Sequence, residues 1–255
     1  MKKAIFIALS VLLALAGQQA KAEPTEVVIR VLAKDAKFIG TETGGAQVTL
    51  RDAKTNKVLA QGLTAGATGN TPRIITDPRT RRAVLSDETS AKIAFMLDLK
   101  RPTLISATAV GPMSDKDHTI TASSQQWVIP GKSVNAGDAW VLELPGFLID
   151  LVDKVPASIK LKDARKIPLN AKITMQCGCP ITPGGLWDAN KIEVGAIVHR
   201  GGKELPTVKL AYAGKASSFS GELEITEPGD YTVDLYAYEP GDGNTGVREI
   251  KIRAK

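Results

Sequence analysis

Gln47-Val48-Thr49-Leu50-Arg51, followed by Lys54-Thr55-Asn56-Lys57 and then by Val58-Leu59-Ala60, is the stretch that decides the fold class of this chain. Apolar and polar side chains alternate in the first segment, the second is a polar turn, and the third returns to apolar residues. Two such segments around a short polar turn predict a β-hairpin. After the first 22 residues no run of the sequence places apolar side chains at helical spacing, so the chain is predicted to be all-β.

Further segments of the same kind extend this prediction along the chain. In the first half they are residues 27–32, 91–99, 103–110, 119–129 and 140–143; in the second half they are residues 158–161, 171–179, 191–199, 207–213, 218–226, 231–238 and 247–253. We expect two tandem β-sandwich domains, residues 23–155 and 156–255. Residues 63–88 break the pattern, and their Gly, Thr, Arg, Asp and Pro predict either a long excursion or a disordered loop.

The N-terminus has the pattern of an export signal. Lys2 and Lys3 precede an apolar run at residues 4–16, and Ala20-Lys21-Ala22 offers small residues for cleavage, so residues 1–22 are predicted to be a signal peptide. The apolar run is too short to span a membrane, and no other long apolar stretch follows it. The mature protein is therefore expected to be periplasmic or secreted, with no membrane span.

The charge balance argues against nucleic acid as a partner. The full chain carries a formal net charge of +6, but three of its lysines lie in the predicted signal peptide, which leaves 30 basic against 27 acidic residues. Such a small excess gives no support to nucleic-acid binding. A basic cluster lies in the 63–88 stretch, where a solvated loop explains it better than an anion site: Arg73, Arg79, Arg81 and Arg82.

Each half resembles a known β-sandwich family. The hairpin at residues 45–60, with its Asp52-Ala53-Lys54-Thr55 turn, is similar to the transthyretin-like, carboxypeptidase-regulatory-like sandwich, which is mostly a structural or binding module. In the second half Gly229-Asp230-Tyr231-Thr232-Val233 resembles the start of an immunoglobulin strand F, with Tyr231 as its tyrosine corner. That family pattern has a cysteine where Val233 stands here, so an inter-sheet disulfide is not expected. Neither resemblance implies catalysis.

The two cysteines, Cys177 and Cys179, are the feature whose chemistry the sequence leaves open. In an extended strand over residues 171–179, four side chains share one face: Ile173, Met175, Cys177 and Cys179. If that face points inward, these residues are small buried hydrophobes with a gap-filling methionine. If it is open, it presents two thiolates and a thioether, soft donors suited to Cu(I), with His199 or His118 as a further ligand. A zinc site is less favoured because no second ligand pair follows at a familiar spacing.

Two other interpretations concern the reactivity of the same thiols. In a flat strand, Cα atoms two residues apart lie near the upper limit for a disulfide, although Gly178 permits the bending that a labile, exchange-active bridge needs. Covalent linkage to another molecule is the second interpretation. Trp187, in the loop after the cysteines, either caps a sulfur site or folds over the end of the sandwich.

No catalytic signature accompanies these residues. The sequence contains no G-x-S-x-G, H-E-x-x-H, P-loop or C-x-x-C-H motif, and no spacing of acidic residues matches a calcium loop. We therefore predict an exported, non-catalytic binding or accessory protein with a partner in the cell envelope. Its predicted copper ligands are Met175, Cys177, Cys179 and His199. The alternative is a structural or adhesive module that recognises a protein or glycan, with both thiols buried.

Overall fold

The regular structure of this chain is almost entirely β, which confirms the predicted fold class. The computed structural model describes residues 22–116, 119–162 and 166–255. Within these ranges sixteen strands form four sheets, and the helical segments are a 3-10 helix at Thr41–Thr43 and a π-helix at Pro72–Thr76. Neither of these short helices has the length or apolar character needed to cross a membrane. The predicted signal peptide, residues 1–22, lies outside the described residues except for Ala22 and stays a prediction.

The first half of the chain forms a pair of facing sheets. Its strands are β1 (Glu23–Ala33), β2 (Gln47–Asp52), β3 (Val58–Leu63), β4 (Ile93–Leu99), β5 (Thr103–Gly111), β6 (Ile120–Val128) and β7 (Trp140–Leu144). One sheet has the order β4-β1-β7, with β1 and β7 parallel, and the other has the order β3-β2-β5-β6. The predicted hairpin is β2 and β3, and its turn is held by the Asp52 carboxylate, which accepts the N–H groups of Lys54 and Thr55.

The alternating sequence of these strands explains why the sheets face each other. In β5 the side chains of Ile105, Ala107 and Ala109 are fully buried, and the residues between them are only half-buried. Successive side chains on a strand point to opposite faces, so one face of each sheet supplies the core. The resemblance of this half to the transthyretin-like family stays a prediction.

The second half forms another pair of sheets. Its strands are β8 (Phe147–Leu151), β9 (Ser158–Ile159), β10 (Lys166–Met175), β11 (Glu193–Arg200), β12 (Lys203–Lys209), β13 (Ala211–Tyr212), β14 (Ser218–Glu224), β15 (Gly229–Glu239) and β16 (Asn244–Ala254). The sheet orders are β13-β14-β10-β8 and β12-β11-β15-β16-β9. This division of strands is the one that an immunoglobulin-like sandwich has.

Tyr231 occupies the position that the sequence predicted for it. It lies near the start of β15, is 3 % exposed, and its hydroxyl donates a 2.8 Å hydrogen bond to the carbonyl of Glu227, four residues upstream. That backward bond is the defining contact of a tyrosine corner. Val233, two residues later, is fully buried and takes the inward position at which an immunoglobulin domain has its cysteine.

The change from one pair of sheets to the other falls between β7 and β8. β8 pairs with β10 over Phe147–Leu151, so these residues belong to the sheets of the second half although they precede residue 156. Pro145 and Gly146 separate the two strands. The division of the chain into domains at residue 155 stays a prediction.

Residues 63–88 form a packed excursion between β3 and β4. Ile74, in the π-helix, is fully buried against Phe38 and Ala91. Beneath it Arg30 is 6 % exposed, and its Nη1 donates to the carbonyls of Ser90 and Ala91 at 2.7 and 3.0 Å. Its guanidinium also lies 5.6 Å from the centre of the Phe38 ring, a cation–π distance. The excursion therefore has a small core of its own, and it is not a disordered loop.

Candidate functional site

The two cysteines lie in a tight turn: the strand predicted over residues 171–179 is confirmed only as far as Met175. β10 ends at Met175, where the N–H of Gly178 donates to the Met175 carbonyl at 2.8 Å and the N–H of Met175 donates to the Cys179 carbonyl at 3.1 Å. Gly178 has φ of +83°, which closes a three-residue hairpin loop and which side chains other than glycine adopt only with strain. Cys177 is therefore within the turn and does not share a strand face with Met175.

The turn buries both thiols and brings them together. Cys177 is fully buried and Cys179 is 6 % exposed, and neither forms a disulfide. The Cys179 thiol donates a hydrogen bond to Cys177, and this bond, aided by the backbone N–H of Lys37, lowers the pKa of Cys177 to about 7. The same pairing, together with burial, raises the pKa of Cys179 well above its usual range. The pair can therefore lose one proton near neutral pH and holds the other strongly.

The sulfur turn, residues 175–179, packs against the first pair of sheets. A Cβ atom placed on Gly178 would lie 3.1 Å from Cγ2 of Thr43, within the 3-10 helix. The charges of Lys37 and Glu42 act on the Cys179 thiol from the same segment. The two cysteines thus lie at a joint between the two halves of the chain.

Gln176 makes a second set of contacts at this joint. It is 1 % exposed, and its Nε2 donates to the carbonyl of Pro145 at 3.3 Å, in the link between β7 and β8. Asn244, equally buried, forms two hydrogen bonds with Gly146, the next residue of that link. It accepts the Gly146 N–H at 2.6 Å and donates to the Gly146 carbonyl at 3.3 Å. The Oε1 atom of Gln176 is buried and has no hydrogen-bond partner among the described residues. The link between the halves is therefore fixed by amide side chains.

Trp187 also lies at this joint. Its side chain is 9 % exposed, and its Nε1 donates a 2.8 Å hydrogen bond to the carbonyl of Asp35 in the first half. The loop that carries it is tied by Asp188, whose carboxylate accepts the N–H groups of Gly184 and Asn190. Of the two sequence-based alternatives for Trp187, the structure supports the tryptophan that folds over the end of the sandwich.

An open pocket of about 200 Å³ lies beside Trp187. Its walls include Asp35, Met175, Asp188, Glu239 and Asp242. Burial, followed by the negative charges of Asp242 and Glu239, raises the pKa of Asp35. The pocket wall is thus acidic where Asp35 lies near the β15–β16 turn. Met175 contributes a thioether side chain to the same wall.

His199 is distant from the sulfur turn. It lies near the end of β11, opposite Glu204 and Thr232 in the two neighbouring strands, and is half-buried. Met175 shares the pocket wall with Ile192, which precedes the start of β11. Ile192 and His199 are seven positions apart along the chain, which in an extended strand is about 23 Å at about 3.3 Å per residue. The fourth predicted copper ligand is therefore at the opposite end of the sandwich, and His118 lies outside the described residues.

The structure thus brings together part of the predicted metal set. Cys177 and Cys179 contact each other, and Met175 is at the base of the same turn, 3 % exposed. Over residues 22–116, 119–162 and 166–255, no group of three or more His, Cys, Asp or Glu side chains is placed to hold a metal ion. The two thiols and the Met175 thioether are donors of the soft type that Cu(I) prefers, and both thiols are buried.

Sequence reasoning missed the residues that cover the thiols. Lys37, Glu42 and Thr43 come from a segment more than 130 positions upstream, and no local pattern links them to the cysteines. The turn itself carried a signal, because a glycine between the cysteines and a proline directly after them are typical turn residues.

Comparison with known proteins does not assign this chain to a family. No family model matches it, and no curated protein matches it. Among solved structures, an engineered protein is 17 % identical over 50 % of this chain and 24 % of its own length, with a TM-score of 0.30. The fibronectin(III)-like modules of Clostridium thermocellum CbhA are 11 % identical, cover 90 % of each chain and have a TM-score of 0.28.

A third similarity is to a DUF3823 family protein from Bacteroides uniformis, 10 % identical over 91 % of this chain and all of the other, with a TM-score of 0.28. At such identities and TM-scores none of these similarities supports an assignment. What is established is the structure itself: over the described residues the chain is all-β, with two pairs of facing sheets and a buried thiol pair at their joint.

Proposed function

We propose that this protein is an exported, non-catalytic structural or adhesive module in which the sulfur turn joins two β-sandwiches. The observation that carries the proposal is the burial of both thiols against the 3-10 helix of the other half. A catalytic or exchange-active thiol needs access to its substrate, and a buried thiol reacts slowly. A turn that packs between two sandwiches restricts their relative motion, which suits a module that presents its outer surfaces to a protein or glycan of the cell envelope.

Thiol accessibility tests this proposal. The reduced mature protein is incubated with iodoacetamide, with and without urea, and the added mass is followed over time. We expect both cysteines to be alkylated in urea and neither to be alkylated on the same timescale in the native protein. Lys203→Cys, placed in a Cys177→Ala, Cys179→Ala background, is the matched control because residue 203 is exposed. If Cys177 or Cys179 of the native protein were alkylated at the rate of this control, the proposal that the sulfur turn is buried between the two sandwiches would be refuted.

A soft-metal function is the second candidate, and the contact between the two thiols favours it. Cu(I) accepts two thiolates, and the lowered pKa of Cys177 makes the first thiolate available near neutral pH. Met175 is the nearest additional sulfur along the chain, whereas His199 is too far away to take part. In this candidate the ion replaces the thiol proton within the joint.

A competition titration separates the two candidates. The reduced protein is titrated with Cu(I) against a competing chelator and compared with a Cys177→Ser, Cys179→Ser variant. Copper storage or delivery requires tighter binding by the unsubstituted protein, and equal affinities exclude it. His199→Ala is the control and should bind Cu(I) as the unsubstituted protein does.

A further inference from the structure

β6 is a sheet edge without the usual protection against pairing. It is the last strand of the sheet β3-β2-β5-β6, and its residues, Ile-Thr-Ala-Ser-Ser-Gln-Gln-Trp-Val, include no charge and no proline. Soluble proteins commonly blunt such edges with lysine, proline, bulges or short strands. The edge strand β12 shows that protection in the same molecule, because it contains Lys203, Glu204, Pro206 and Lys209.

The pairing register shows which backbone groups of β6 face outward. The N–H of Ala53 donates to the carbonyl of Leu104, so Leu104 and every second residue after it point toward β2. The intervening residues of β5 point toward β6 and pair with Val128, Gln126, Ser124, Ala122 and Ile120. In an antiparallel ladder the alternate residues then direct both their N–H and C=O groups to the free edge.

These outward residues are Thr121, Ser123, Gln125 and Trp127. In the described part of the chain no backbone hydrogen bond reaches them from another segment. The side chains at this edge are also exposed: Trp127 is 56 % exposed, and Ile120 and Ile129, at the two ends of the strand, are 37 and 50 % exposed. A row of free backbone groups between apolar ends is the surface that strand addition uses.

We propose that the occupant of this edge is β6 of a second copy of the chain, paired antiparallel about a two-fold axis at Ser124. In that register Thr121 pairs with Trp127 of the other copy, and Ser123 pairs with Gln125. These four residues are the ones with outward N–H and C=O groups, so each free group on both strands acquires a partner. A shift by one residue would oppose outward groups to inward ones and satisfy none of them.

The composition of the strand fits a self-complementary contact. Because β6 carries no charge over Ile120–Val128, antiparallel pairing places no like charges opposite each other. The side chain of Ser124, at the axis, is turned toward the other sheet, where its Oγ accepts a 2.8 Å hydrogen bond from Nε1 of Trp140. The axis therefore passes between small side chains, and two four-stranded sheets become one continuous sheet. This inference does not depend on the role of the sulfur turn.

Gln125→Pro tests the pairing with little change to the monomer. Proline removes an N–H that is unpaired in the monomer and needed in the dimer, and prolines are tolerated on edge strands at such positions. We expect the mature protein to show a reversible monomer–dimer equilibrium in sedimentation experiments, and Gln125→Pro to be monomeric at every concentration. Gln125→Ala, which keeps the N–H, should dimerise as the unsubstituted protein does.

Ser123→Lys is a second variant that keeps every backbone group. It places like charges near the axis, and we expect it to weaken dimerisation by about tenfold or more. Hydrogen exchange should show slower exchange of the Thr121, Ser123, Gln125 and Trp127 amides as the concentration of the unsubstituted protein rises. A protein that is monomeric throughout, or a dimer that both variants leave intact, would overturn the proposal.

Discussion

Each end of the second sandwich has a turn with a glycine of positive φ, but one turn is buried and the other is exposed. At one end the sulfur turn contains Gly178 with φ of +83°, and the turn is buried against Thr43 of the first half. At the other end the β11–β12 hairpin contains Gly202 with φ of +82°, and no atom lies within 4 Å of the place where a Cβ would stand. The two glycines have nearly the same φ although their loops differ in length, so a difference in mutational sensitivity between them reports mainly on the packing at the joint.

Removal of the Trp187 ring should have the largest effect, because it acts on the buried end alone. Truncation of a buried tryptophan typically costs 3–5 kcal/mol, and here it also removes the hydrogen bond to the Asp35 carbonyl. We expect Trp187→Ala to lower the free energy of unfolding in urea by about 3 kcal/mol. Trp187→Phe, which keeps most of the ring, should cost about 1–2 kcal/mol. A loss below about 1 kcal/mol for the alanine variant would mean that Trp187 does not stabilise the joint.

Matched glycine substitutions compare the two ends directly. Gly202→Ala introduces backbone strain alone, whereas Gly178→Ala adds a contact of 3.1 Å with Thr43 in a packed joint. We expect a loss of about 1 kcal/mol for Gly202→Ala and about 2–3 kcal/mol for Gly178→Ala in urea unfolding. Equal losses would show that the packing around Gly178 relaxes freely.

The pH dependence of stability tests whether the buried end contains an ionisable pair. Folding lowers the pKa of Cys177 from 9.0 to about 7, and a lowered thiol pKa adds stability above the unfolded value and loses it as the pH falls through the folded value. We therefore expect the free energy of unfolding to rise by about 1–2 kcal/mol between pH 7 and pH 9. A Cys177→Ala, Cys179→Ala variant should lack this rise. A rise of the same size in that variant would assign it to other groups.

The smallest effect is expected at the open end. His199 is half-buried near the end of β11, about 23 Å of strand from the joint. His199→Ala should change the free energy of unfolding by less than about 1 kcal/mol, because the side chain is only half-buried and lies far from the joint. A loss above about 2 kcal/mol would show that His199 contributes packing that its position does not indicate.

Patterns within one strand or turn predicted the structure well, and contacts between distant segments were not predicted. The hairpin at residues 47–60 and the corner at Tyr231 each depend on neighbours within the same local stretch, and both are confirmed. The shared sulfur face was wrong because a single glycine, Gly178, turns the chain after Met175. The burial of the thiols could not be read from the sequence, since it depends on where residues 37–43 pack.

The excursion at residues 63–88 was uncertain for the same reason. Its composition is that of a loop, and its order comes from Arg30 and Phe38 below it, which belong to β1 and the segment after it. A side chain placed on a preceding strand leaves no sign in the composition of the loop that covers it.

The excursion at residues 63–88 also determines how the protein behaves after proteolytic cleavage within it. Arg81 and Arg82 are exposed at its tip, and Arg82 has φ of +64°, so trypsin has an accessible site there. Before the tip Ile74 is buried beside Phe38, and after it the N–H groups of Leu85 and Ser86 donate to the Asp138 carboxylate at 2.9 and 2.7 Å. Both chain ends produced by cleavage would thus remain bound to the sandwich. The two fragments would migrate together, at the size of the uncleaved protein, until the protein is denatured.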